Sequence, residues 1–142
     1  MNMMEMVLAL FAVVFFTTMA GNYNRVLLDQ NDYLINATQH VQATQLCHAV
    51  LDEVDAKLFS NQLSYDSIIA TYDGVTRDID LNFPGDQYDI SISADFCDSL
   101  GIVRAEDDTL AINRLVMVEA STQGLKVPVR MQRIYAKIHY YN

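Results

Sequence analysis

The feature that most limits what this chain can become lies at its start, in MNMMEMVLALFAVVFFTTMAG. Met6 to Phe16 form eleven uninterrupted apolar residues, and Thr17 and Thr18 carry the run on to Met19 and Ala20. Their hydroxyls can bond back along a helix, so they do not end it. A helix of about 20 residues spans roughly 30 Å, the thickness of a hydrocarbon core. The segment is therefore long enough to cross a membrane. One carboxylate, Glu5, stands near its beginning, and no Lys or Arg occurs before Arg25.

Three readings of the segment follow. A secretory signal with a small-residue cleavage site near Ala20 would begin with a basic residue, and here the first basic residue is on the wrong side. A single-span anchor places Glu5 in the first helical turn, where the helix dipole favours it and the interface keeps it wet. In the third reading the segment packs against copies of itself, and Glu5 pairs with a cation from a neighbour. With no Lys or Arg in residues 1–24, the available cation is an α-amino group, that of Met1 in an adjacent copy.

An apolar helix of this length with glutamate at position 5 resembles the mature N-terminus of type IV pilins and pseudopilins. The match in layout covers residues 1 to about 58, although Met1 and Asn2 stand where the family more often has Phe and Thr, and no proline occurs near position 22. The resemblance implies a leader removed by a prepilin peptidase, with Met1 as the new, methylated terminus. It further implies that Glu5 neutralises a neighbour's N-terminus during assembly by the pilus machinery. Filament-core packing then falls to Met6, Leu8, Leu10, Phe11, Val14 and Phe15. Gly21 costs roughly 1 kcal/mol of helix relative to Ala, and Asn22 and Asn24 are weak formers. The bland expectation for this stretch is a mild kink at the membrane boundary. The resemblance implies instead that Thr17, Thr18, Gly21 and Asn22 belong to a stretch that loses helical hydrogen bonds in the filament.

Residues 25–59 contain neither Gly nor Pro and read as a continuation of the helix. Tyr33, Ala37, Val41, Thr44, Cys47, Leu51, Val54 and Leu58 follow steps of three and four and predict a buried stripe, with Asp32, Gln39, Gln42, Asp52 and Asp55 on the opposite face. Beyond Phe59 the pattern changes to alternation, at Ile79, Leu81 and Phe83 and again at Tyr88, Ile90, Ile92, Ala94 and Phe96, with FPGDQ as the turn between. Two further strands are expected in TLAINRLVMVEAST and VPVRMQRIYAKIHYY, around a turn at residues 123–126. In the last, Val127, Val129, Met131, Arg133, Tyr135, Lys137 and His139 share one face. The expected fold is α+β, a long N-terminal helix packed on a C-terminal antiparallel sheet as in a pilin. The expected division is a transmembrane or filament-core helix at 1–24 and a head at 25–142, made of an amphipathic helix at 25–59 and a sheet within 76–142.

With 18 acidic against 9 basic residues the net charge is −9, and no basic cluster occurs. This disfavours nucleic-acid binding along a filament shaft. Cys47 falls on the helix stripe and Cys97 ends a strand, so a disulfide joining helix to sheet and two separately buried thiols are both open. The bridge is the expectation for an extracytoplasmic head. His40 and His48 lie two helical turns apart, too far for one metal. The Glu106-Asp107-Asp108 loop lacks the alternating ligands and central glycine of a calcium loop. Asn36-Ala37-Thr38 has the form of a glycosylation sequon but lies within the predicted helix. No phosphate loop, nucleophile elbow or acid/base pair stands out, so neither enzyme activity nor a cofactor nor a metal site is expected.

The function this implies is a structural subunit of a type IV pilus-like extracellular filament, a homopolymer held in the inner membrane before assembly. A pseudopilin of a type II secretion-like machine and a single-span anchored binding domain are the alternatives.

Overall fold

The computed structural model describes residues 2–81 and 87–137. Met1, residues 82–86 with Phe83 and the FPGD of the predicted turn, His139 and the end of the last predicted strand lie outside the described residues. By packing, the chain divides into two units, residues 1–37 and 38–142. No side chain in residues 25–37 is buried, and burial begins at Gln39.

Helix α1 runs unbroken over Met3–Phe59. It stops through backbone chemistry at Asn61, which takes a left-handed φ of 56°. Asn61 N–H donates to Leu58 O at 3.2 Å and Gln62 N–H to Lys57 O at 2.9 Å, the bond pair of a Schellman cap. A short turn of 3-10 helix, Tyr65–Ser67, leads into α2, Ile68–Tyr72, which buries Ile68 and Tyr72.

Four strands follow: β1 Val75–Asp80, β2 Gln87–Cys97, β3 Asn113–Ser121 and β4 Val129–Ala136. They form one antiparallel sheet in the order β1-β2-β3-β4. Val75 lies opposite Ile92, Ile92 opposite Val118, and Val118 opposite Met131, so one register row crosses the whole sheet. Because side chains alternate along a strand, that row fixes one face, which also carries Tyr88, Ile90, Ala94, Val116, Ala120, Val129 and Tyr135. These form one core with Ala43, Cys47, Val50, Leu51 and Val54 of α1. The architecture is the α+β arrangement expected, a helix followed by an antiparallel sheet that the helix covers.

The helix stripe differs from the sequence reading in its first half. Tyr33 and Val41 are exposed, whereas Gln39, expected on the polar face, is buried. The buried positions are 39, 43, 47, 50, 51 and 54, in steps of four up to Cys47 and of three and four beyond it, and the turn after β3 makes room for Gln39: a Cβ at Gly124 would collide with its carboxamide. Tyr88 also donates to Gln39 O at 3.4 Å. Asp55, expected in solvent, is half-buried and meets Arg133.

Candidate functional site

At the N-terminal end of α1, Asn2 N–H donates to Glu5 Oε2 at 3.0 Å, while Glu5 N–H donates to Asn2 O at 2.8 Å. Here Asn2 is the N-cap and Glu5 the third helical residue, whose carboxylate reaches back as in a capping box. This role was not read from the sequence, although the spacing Asn-x-x-Glu carries the signal. Met1 lies outside the described residues, so the partner expected for Glu5 in a neighbouring copy has no geometry here.

The residues expected to pack a filament core, Met6, Leu8, Leu10, Phe11, Val14 and Phe15, each expose more than half of their surface. Within the chain the apolar window is unburied, and it is long and apolar enough to cross a membrane. Its polar groups are nevertheless satisfied. Thr17 Oγ1 donates to Val13 O at 2.7 Å, and Thr18 Oγ1 lies 3.0 Å from Val14 O and 2.8 Å from Phe15 O. Residues 17–24, including Gly21 and Asn22, remain α-helical. A Cβ at Gly21 would meet nothing within 4 Å, so no packing within the chain requires a glycine there.

In the head, Cys47 and Cys97 are both buried free thiols. The expected disulfide is therefore corrected, and the sheet itself supplies the reason. Cys47 Sγ reaches Val118 O and Val129 O at 3.9 and 3.8 Å on the helix side. Cys97 sits one position out of phase with Ile90, Ile92 and Ala94, so it faces the other side of the sheet. Burial raises the pKa of both thiols, and the neighbouring Asp98 charge raises that of Cys97 further.

In the acidic loop after β2, Asp98 and Asp108 are engaged internally, and Glu106 and Asp107 are exposed. Asp98 accepts from Leu100 and Ile102 N–H at 2.9 and 3.0 Å and from Arg104 at 3.1 Å. The bond from Ile102, then those from Leu100 and Arg104, lower its pKa. Arg104 also lies 3.7 Å from Asp108. No group of three His, Cys, Asp or Glu side chains able to hold a metal occurs among the described residues.

Two arginines clamp the helix at the sheet margins. Arg77 on β1 bonds Glu53 at 2.6 and 3.2 Å, and Arg133 on β4 bonds Asp55 and lies 3.2 Å from Asp52. A third, Arg114, packs between the rings of Tyr65 and Phe96 at 5.0 and 4.2 Å. Beside it a cleft of about 440 Å³ is lined by Asp55, Leu58, Phe59, Leu63, Tyr65 and Tyr135, among others. None of these contacts has a local sequence signature, because each joins residues far apart in the chain.

Comparison with protein-family models, with curated proteins and with solved structures finds no match.

Proposed function

We propose that this chain is the structural subunit of a type IV pilus-like filament, held in the inner membrane before assembly and then built into an extracellular helical homopolymer. The observation that carries the reading is the exposure of the apolar residues from Met3 to Phe16 on every side of α1. Burying one Val, Leu, Phe or Met is worth about 1.5–3 kcal/mol. A surface of this kind is stable only in lipid or against other apolar helices, and a helical polymer offers the second. Leader removal by a prepilin peptidase and extraction by the assembly machinery belong to the same proposal, by the resemblance at Glu5. A pseudopilin would use the same element in a shorter fibre.

The cap on Glu5 favours a second reading, a single-span anchor without polymerisation, because a carboxylate satisfied by its own helix needs no neighbour. Two substitutions separate the cases. Glu5→Gln keeps a side chain able to accept from Asn2 N–H but loses the charge, and Glu5→Ala loses both. If Glu5 pairs with a neighbour's amine, both variants insert in the membrane and both fail to sediment as polymer. If capping is its whole role, Glu5→Gln behaves as the parent chain and the pairing is refuted.

A further inference from the structure

Among the described residues the sheet ends in two free edges, β1 on one side and β4 on the other. A free edge presents unpaired N–H and C=O groups and is a template for another strand. The two edges carry opposite charge. On β4 Arg133 turns inward to Asp52 and Asp55 and Lys137 lies 3.6 Å from Asp66, which leaves Arg130, bonded to Glu119 and 61% exposed, as the cation on the face turned away from α1. On β1 the exposed side chains are Thr76, Asp78 and Asp80, while Arg77 turns inward to Glu53. On the face turned away from α1, β4 thus offers Arg130 and β1 offers Asp78 and Asp80, so β4 against β1 is the pairing that sets opposite charges together.

We propose that β4 of one copy pairs with β1 of the next, so that the sheets of neighbouring heads join edge to edge. Strand direction supports this. In a meander of four antiparallel strands, β1 and β4 run in opposite directions. A second copy shifted across the sheet in the same orientation therefore brings its β1 antiparallel to β4, and the ladder continues. The shared orientation rests on the filament reading, in which all subunits point the same way. The contact is heterologous and does not close on itself, which extends a polymer rather than ending at a dimer.

Charge also selects a register. Asp78 lies directly opposite Asp89 on the face turned away from α1, a like-charge pair that is unfavourable in a sheet. Arg130 projects from the same face of β4 and bonds Glu119 at 2.6 Å. Placing Arg130 opposite the next copy's Asp78 brings a cation to that carboxylate pair and sets Gln132 opposite Thr76. It also sets Arg133 opposite Val75 rather than Arg77, avoiding a second like-charge pair. Such an edge is weak alone. Apolar helices bundled in the filament raise its effective concentration.

The test uses the full chain carrying Thr76→Cys and Gln132→Cys, in detergent and after detergent removal, oxidised and run without reductant. Directly opposed strand residues lie within disulfide reach, and the native thiols are buried. A ladder of dimers, trimers and higher species is expected. Asp78→Arg in that background should cut it about tenfold, and adding Arg130→Asp should restore it. Because Asp78→Arg removes the repulsion with Asp89, a folding defect is not the expected cause of the loss, and an unchanged melting temperature checks this. A ladder that stops at dimers, or one indifferent to Asp78→Arg, overturns the pairing. Micrographs of the same samples keep the two readings apart: fibres without a ladder sink the edge contact alone, and a ladder without fibres sinks the filament alone.

Discussion

Two leucines on one helix give opposite expectations. Leu51 is 1% exposed in the core between α1 and the sheet, and Leu28 is 66% exposed. Leu51→Ala removes three carbons from a fully buried site, about 2.4 kcal/mol at about 0.8 kcal/mol each. The cavity left behind raises the cost to about 3–4 kcal/mol. Leu28→Ala touches no core and should cost no more than about 0.5 kcal/mol. The assay is urea unfolding of the full chain in mild detergent, followed by near-UV circular dichroism of the tyrosines, since the chain has no Trp. With a slope of about 2 kcal/mol per molar urea, Leu51→Ala moves the midpoint down by about 1.5–2 M and Leu28→Ala hardly at all. A loss below about 1 kcal/mol at Leu51, or an equal loss at Leu28, would refute the assignment of the core to the second part of α1.

Hydrogen bonds from Arg77 and then Lys57 bring the Glu53 carboxyl from the usual 4.5 down to about 2. Its folded pKa lies below its unfolded one, so its contribution is whole above about pH 5 and fades as pH falls toward 2. The stability gap between parent and Glu53→Gln, measured by thermal melts across that range, should shrink accordingly; a gap constant with pH contradicts the clamp. Both cysteines should resist a thiol reagent at pH 8 in the folded chain and react after denaturation, and a non-reduced mass short of two hydrogens would contradict the free thiols. Gly101 has φ 81°, and a Cβ there would stand 2.9 Å from Ile134 Cδ1. Gly101→Ala should therefore cost about 1–2 kcal/mol in the same urea assay, and a neutral result would count against the packing of this loop.

Where a segment's surroundings repeat along the chain, its structure was legible in the sequence. The alternation of Tyr88, Ile90, Ile92 and Ala94 marks β2 because one side of the sheet is covered by α1, and the face of Val129, Met131, Arg133 and Tyr135 was readable for the same reason. The end of α1 at Phe59 was also readable. Gln39 was not, since its burial depends on Gly124 and Tyr88, far away in sequence. The predicted third strand began too early because Leu110 and Ile112 look like strand residues, yet both are exposed in a loop held by Asp98, Arg104 and Asp108. The turn of 3-10 helix and α2 are too short for a periodic signal. At the N-terminal segment the apolar surface and the place of Glu5 in the first turn were legible, whereas its bond to Asn2 was encoded locally and passed over. The cysteine pairing failed for a geometric reason, because one residue of phase puts Cys97 on the wrong face.

The central claim is that the apolar surface of the N-terminal helix is buried against copies of itself. Electron microscopy of the purified full-length chain after detergent removal tests it most directly. Uniform thin fibres are predicted, and dispersed particles or vesicles bearing single anchored heads, with no fibres, would contradict it.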